Sequence, residues 1–449
     1  MQFQLTSDFI KSIEQLVANK EGNKLRELLH EFHFADIAEL LEELSSDEAT
    51  YLVKLLESEL TSEALMELDD DVREKILSRL SPNEIAKELA EMDTDDAADI
   101  LAELDDDIQQ KVINKLDDEE HIADIIELLK YDEDTAGGLM AKELVQVKET
   151  WTVAGCVREM RRQAENVTRV HSIYVTDKEG KLKGRLSLKD LLTASEKTKI
   201  REVYIPKVDY VTVHTEGEEV ARIMQKYDLE AIPVVDENGI LVGRITIDDI
   251  VDFIKDEADK DYQMAAGISS DVEADDSVWE LTRARLPWLI LGLFGGLGSV
   301  YIMKGFEEAI TNYQILFFFT PLIAAMAGNV GVQSSAIIVQ GLANDNVKGS
   351  LINRLLKEVG LALINGTALA ALVMIFGVIV GQDILVSITI SVSMLSVIIV
   401  AALIGTFVPI ILDRRGIDPA IATGPFITTS NDIFGIFLFF YLSKIILGF

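Results

Sequence analysis

The sequence predicts a multidomain membrane protein: a cytoplasmic α-helical repeat domain, a tandem α/β pair, an acidic connecting helix and a five-helix transmembrane domain. Three observations carry this. Five long apolar stretches crowd the C-terminal part, with short polar connections and almost no internal charge. The charge is segregated: from Leu281 onward there are eight acidic and nine basic residues, which leaves 68 of the 76 acidic and 32 of the 41 basic residues to the first 280. Two internal repeats, with periods of 36 and 59 residues, divide the acidic part in two.

That segregation bounds the partners. A soluble part carrying about −36 repels nucleic acid and attracts cations, while the apolar part is nearly neutral. At 449 residues the chain is too long for one core. The single cysteine, Cys156, excludes an intrachain disulfide and suggests a reducing compartment. The start, "MQFQLTSDF", has neither a basic nor an apolar segment, so no secretory signal is expected there.

Residues 1–135 read as short amphipathic helices. "ELDDDVREKILSRL" (Glu67–Leu80) recurs as "ELDDDIQQKVINKL" (Glu103–Leu116), and "AELLEEL" (Ala38–Leu44) resembles "ADILAEL" (Ala98–Leu104). Helical repeats of this size stack into a small solenoid. The Asp runs fall at helix starts, where carboxylates cap and favour the dipole. His30 and His33 lie three apart on a helix and read as surface residues, not as a metal site.

Residues 136–200 and 201–258 form the second repeat. "SIYVTDKEGKLKGRLSLKDLL" (Ser172–Leu192) aligns with "AIPVVDENGILVGRITIDDIV" (Ala231–Val251) at a constant offset of 59. Each copy reads as strand, glycine turn, strand and a helix capped by Ser187 or Thr246. The pair resembles tandem cystathionine-β-synthase (CBS) domains. The resemblance implies an adenine nucleotide, ATP or another, with Ser187, Lys189, Asp190, Thr246 and Asp249 as candidate contacts. The same residues are ordinary helix caps, and both readings stand.

Residues 249–282 read as an acidic connecting helix. Asp252, Asp256 and Asp259 lie at i, i+4 and i+7, so three carboxylates share one face with Glu257 beside it. The pattern fits a solvated face or a cation-binding one.

Residues 283–449 hold the spans, near Leu286–Met303, Tyr313–Leu342, Leu355–Val380, Ile384–Leu412 and Pro419–Leu447. Arg283, Arg285, Lys348, Arg354, Lys357, Arg414 and Arg415 fall on one side, Lys304 and Lys444 on the other. The bias predicts a cytoplasmic N-terminal part and an outside Phe449. "PLIAAMAGNVGVQSS" places Asn329 and Gln333 on one helical face, with Gly328 and Gly331 between and Pro321 weakening the helix. The amides fit interhelical hydrogen bonding or a hydrated lumen. In the last span Pro425 disturbs the helix, and Thr428, Thr429, Asn431 and Asp432 follow. Asp432 is the one ionisable residue deep in a span, and no span offers it a basic partner. Asp418 lies 14 residues before it, about 21 Å along a helix, at the cytoplasmic mouth. No His or Cys lies in the spans, so the donors are oxygen and amide groups, which leaves Mg²⁺, Mn²⁺, Ca²⁺ and Na⁺ open.

With those residues in view, the chain resembles the MgtE family of magnesium channels. "PLIAAMAGNVGVQSS", "GIDPA" and "TGPFITTSND" match its membrane motifs, and the resemblance covers nearly the whole chain. It implies a homodimer in the bacterial inner membrane, with a pore on the two-fold axis. Asp432 would stand at the selectivity site, with Asn329, Gly328, Thr428 and Asp418 along a hydrated path. It implies passive Mg²⁺ entry, closed by internal Mg²⁺ bound among cytoplasmic acids. The candidates are Asp95, Asp96, Asp99, Glu216, Asp228, Asp248, Asp249, Asp252, Asp256, Glu257 and Asp259. Ala327 and Val332 depart from the family pattern and bear on selectivity and hydration. No Walker motif or catalytic triad is visible, so no enzyme is expected. The rivals are an ion-coupled secondary transporter of divalent cations and a nucleotide sensor merely anchored by its spans.

Overall fold

The computed structural model describes residues 5–164, 169–270, 272, 274, 276–343, 347, 349–422 and 424–448. The opening "MQFQ", Lys348 and Phe449, used above for signal and orientation, lie outside them. The chain divides into two compact units, Met1–Lys255 and Asp256–Phe449.

The first unit begins with helices α1 (Ser7–Ala18), α2 (Gly22–Leu29), α3 (Phe34–Glu42), α4 (Ser46–Leu55), α5 (Ser58–Met66), α6 (Asp70–Leu77), α7 (Pro82–Leu89), α8 (Thr94–Glu103), α9 (Asp106–Ile113) and α10 (Glu119–Leu128). From α3 on, most pack on the helix after next: α3 on α5, α4 on α6, α5 on α7, α7 on α9 and α8 on α10. That is solenoid packing: one apolar stripe per helix, buried by the neighbours in the stack. The 36-residue repeat is α6 and α9, whose inward Ile76 and Val112 are both fully buried. The Asp runs do not cap as expected. Asp69 and Asp105 make no side-chain cap bond, and their followers act through first-turn charge. Asp118 does cap, accepting from the N–H groups of Glu120 and His121.

The two α/β copies follow. The first is β1 (Val145–Lys148), α11 (Val153–Gln163), β2 (Ile173–Thr176), β3 (Leu182–Leu186) and α12 (Leu188–Thr193). The second is β4 (Val211–Thr212), α13 (Gly217–Tyr227), β5 (Ala231–Val235), β6 (Leu241–Thr246) and α14 (Ile247–Ala266). In each, a parallel pair (β1–β2, β4–β5) adjoins an antiparallel hairpin (β2–β3, β5–β6). The irregularity repeats too, at Val175/Thr176 and Val234/Val235. Gly184 and Gly243 stand where another stretch crosses the hairpin edge, and a β-carbon would strike Tyr204 and Met140. The second copy shares one apolar core with the helical stack, whereas the first has its own.

The connecting segment differs from expectation. α14 is the closing helix of the second copy, and it ends at Ala266 rather than near 282. Gly267 stops it at φ +82°, with its N–H on the Met264 carbonyl and the next N–H on Gln263.

In the second unit the described residues include five helices long and apolar enough to cross a membrane. They are α15 (Val278–Gly305), α17 (Gln314–Ala343), α18 (Leu351–Ile379), α19 (Ile384–Asp413) and α20 (Gly424–Leu447), with short α16 (Glu307–Asn312) after the first. α19 is central, packed on α17, α18 and α20. α20 starts later than the apolar run suggests, because Pro419–Ala422 is a separate 3₁₀ turn. Pro425 therefore sits in the first turn, where proline favours helix initiation, and does not disturb the span.

Candidate functional site

In the second unit, α17 and α20 enclose a cleft of about 420 Å³, lined by Ala324, Ala325, Gly328, Asn329, Val332, Gln333, Thr428 and Asp432. Helical spacing accounts for the lining: Ala325, Asn329 and Gln333 recur every four residues on α17, as Thr428 and Asp432 do on α20. Gly328 lets the two helices approach. A β-carbon there would stand 3.3 Å from Thr428 Cγ2 and 4.0 Å from Asp432 Oδ1. The Thr428 hydroxyl donates to the Gly424 carbonyl at 2.9 Å, which leaves its lone pairs for the cleft. Among the described residues, no lysine, arginine or histidine lines the wall.

Thus Gly328, Asn329, Thr428 and Asp432 meet in one cleft, while Asp418 does not join them. Asp418 is exposed and accepts from the Ala420 N–H at 2.7 Å, holding the turn before α20. A separate 3₁₀ turn, Pro419–Ala422, precedes α20, so the two residues do not share one continuous α-helix and the 21 Å spacing does not apply. Gly331 and Ala327 are also turned from the cleft. Gly331 packs against Asn431 and Gly405, and Ala327 faces Gly435. Carboxylate, amide and hydroxyl without a resident cation suit a hard, hydrated ion.

The first unit holds a second acidic centre. Asp93, Asp95 and Glu143 each present an oxygen within 4.8 Å of the others. Asp93 and Asp95 flank the start of α8, and Glu143 reaches that start from the chain before β1. Its carboxylate accepts from the Thr94 hydroxyl at 2.9 Å and the Thr94 N–H at 3.3 Å. Burial, then Glu143, pushes Asp93 up to about 6 against the opposing pull of Arg244. Asp95 lies well above the carboxylate range through burial, then through Asp96 and Asp249. Asp96 is raised by burial, then by Asp249 and Asp93. Loss of water, then Glu133 and Glu103, lifts Asp99 to about 7. Crowded carboxylates with raised values form a site that gains by taking a cation.

Of the other regulatory candidates, Asp248 carries a lowered value despite burial, through the Thr246 hydroxyl. Asp252 is raised by burial and then by Glu67. Asp256, Glu257 and Asp259 continue α14, and Glu257 pairs with Lys260 at 2.9 Å. Glu216 and Asp228 sit at opposite ends of α13, Asp228 closing it in the left-handed region at φ 51°. Neither belongs to the Asp93–Asp95–Glu143 trio. Asp93 and Glu143 escaped the sequence reading. Asp93 stood next to the quoted acids, but Glu143 lies 49 residues from its partner Thr94 and carries no local signal.

The nucleotide candidates make cap bonds. Ser187 accepts from the Lys189 N–H at 3.2 Å, with Asp190 in the first turn of α12. In the second copy the Thr246 hydroxyl donates to Asp249 at 2.6 Å.

The comparisons with known proteins agree along the chain. Residues 320–442 match the family model described as MgtE, divalent cation transporter. Residues 32–134 match the MgtE intracellular N domain, and 136–197 and 200–256 match CBS domains. A magnesium transporter MgtE of Thermus thermophilus is 36% identical over 72% of this chain and 73% of its own. One of Bacillus subtilis is 36% identical over 70% of each chain. Among solved structures, the cytosolic domain of a Mg²⁺ channel MgtE in complex with ATP is 38% identical, covering 54% of this chain and 99% of its own at a TM-score of 0.52.

Proposed function

This chain belongs to the MgtE family of magnesium transporters, is a multi-pass membrane protein and not an enzyme, and on that premise we propose that it is a Mg²⁺-selective channel closed by internal Mg²⁺. The observation that carries the reading is Asp432, a carboxylate facing a cleft of amide and hydroxyl groups with no basic side chain among the described residues of its wall. Mg²⁺ keeps several waters and takes few direct protein ligands, which suits such a lining. Asp432, Asn329, Gly328 and Thr428 of two copies, arranged about a two-fold axis, would form the path. Entry is passive: a divalent ion gains roughly 4.6 kcal/mol per 100 mV on moving inward. The Lys/Arg bias supports an acidic unit in the cytoplasm of a bacterial cell, beneath the inner membrane.

The cytoplasmic acids act as the sensor. Without Mg²⁺, Asp93, Asp95, Asp96, Asp99, Glu143 and Asp249 repel; with Mg²⁺ among them the repulsion is replaced by bonds, and the closed population grows. α14 carries Asp248, Asp249, Asp252, Asp256, Glu257 and Asp259 and continues covalently from that centre. The 38%-identical neighbour is a cytosolic domain in complex with ATP, which supports an adenine nucleotide here; Ser187, Lys189, Asp190, Thr246 and Asp249 of the paired domains are its candidate contacts.

The test is Mg²⁺ flux into proteoliposomes, with and without Mg²⁺ on the side of the acidic unit. Unitary currents that fall as that Mg²⁺ rises are expected. Saturable flux without unitary currents would replace the channel with an ion-coupled carrier.

A further inference from the structure

The 59-residue repeat places an arginine after the hairpin glycine in both copies, Arg185 and Arg244. Their backbones do the same work. Each bonds a single crossing residue, Ile205 for Arg185 and Ala141 for Arg244. Their side chains differ. Arg185 is exposed, whereas Arg244 is 6% exposed. Arg244 Nε donates to the Glu143 carbonyl, and Nη2 pairs with Asp93 at 3.3 Å. His171, Tyr174 and Asp248 feel its charge from other directions. A buried guanidinium thus pairs with the Asp93 carboxylate of the acidic trio and holds the main chain of Glu143, a second member.

We propose that Arg244 is a tethered cation of this centre, which holds the acids together when no divalent ion is there and opposes the ion's entry, thereby setting the concentration at which the centre fills. The inference rests on reading the centre as a cation sensor. Strand bonds to Ala141 of 2.8 and 2.9 Å hold its main chain, and burial with the Nε bond to the Glu143 carbonyl holds its guanidinium, so its charge stays close when an ion arrives. A fixed single charge a few ångströms from a divalent ion weakens binding roughly tenfold even where water screens well. The exposed Arg185 has no such role, which explains why a shared motif serves structure in one copy and regulation in the other.

The experiment is hydrogen exchange of the full chain in detergent, followed on peptides covering 93–99 and 141–146 while Mg²⁺ is titrated at pH 8. Arg244→Gln is expected to exchange faster at zero Mg²⁺ and to reach half-protection at roughly tenfold less Mg²⁺ than wild type. Arg244→Lys keeps the charge and should stay within about twofold of wild type. If Arg244→Gln loses the local fold at zero Mg²⁺, added Mg²⁺ must restore it; failure to restore overturns the proposal. So does a Gln midpoint equal to or above wild type, or a Lys midpoint that matches Gln. A wild-type chain that ignores Mg²⁺ sinks the sensor reading and the competition with it. A responsive wild type that shares its midpoint with Arg244→Gln sinks only the role of Arg244.

Discussion

Gly331 of α17 lies so close to Asn431 of α20 that a β-carbon on the glycine would overlap the asparagine amide nitrogen. Gly405 of α19 approaches the same Gly331 through its backbone. Three membrane helices therefore meet at one residue with no side chain, and the Asn431 it faces is one position from Asp432. Asn431 is buried there, and neither amide atom has a protein hydrogen-bond partner among the described residues. Gly331→Ala should lower the thermal midpoint in detergent, since overpacking a tight contact costs about 1–3 kcal/mol. Unchanged melting would show that the helices part readily.

Gly328, three residues earlier, answers to a different constraint. A side chain there meets Thr428 and Asp432 at the cleft, a looser approach of the same two helices than the overlap at Gly331. Gly328→Val should abolish Mg²⁺ flux in liposomes yet elute and melt like wild type. Loss of flux with loss of fold would place Gly328 with Gly331 as a packing residue.

Asp432→Asn keeps the shape and removes the charge. Flux should drop by at least an order of magnitude while the protein still inserts. Normal flux from a folded variant would take the carboxylate out of the selectivity site.

The acidic centre predicts a pH dependence with a definite sign. Asp93 at about 6 and Asp99 at about 7 lie above the unfolded value of 3.8. Their protonated forms favour the fold, so this stability is complete below about pH 4 and lost as pH rises through 6 to 7. Without Mg²⁺, the first unit should melt lower at pH 8 than at pH 6. Mg²⁺ must displace those protons, so its midpoint should fall with rising pH, by up to about tenfold per unit for each proton released. A midpoint flat between pH 6 and 8 would show that these groups do not hold the ion.

Neutralising Asp95, Asp96 and Asp249 together removes ligands and repulsion at once. Flux should become insensitive to internal Mg²⁺, and exchange over residues 93–99 should slow at zero Mg²⁺. Single substitutions should move the threshold only modestly, because several acids share the ion. A triple variant that still closes at the wild-type concentration would move the sensor elsewhere.

Much of this was legible in sequence. Apolar length marked the spans, the 59-residue offset marked the paired domains down to their glycines, and a lone carboxylate in an apolar run marked Asp432. What was hidden depends on contacts between distant stretches. Arg244 and Asp93 are 151 residues apart, and no periodicity links them. The spacing from Asp418 to Asp432 was misjudged because an apolar run starting at Pro419 reads as one helix, whereas the Asp418 carboxylate closes a separate 3₁₀ turn. Gly331 and Gly328 share a composition and a helix, and only their neighbours tell packing from cleft.

α14 is about 30 Å long, and its second half, from Asp256 on, lies in the second unit. At its far end Gly267 leaves no room for a β-carbon beside the Pro425 ring, and Gly424 leaves none beside the Ala265 carbonyl. Two glycines thus butt α14 directly onto the first turn of α20, two turns before Asp432. That joint lies wholly within the second unit, so a side chain added at either glycine acts first on the start of the helix that carries Asp432.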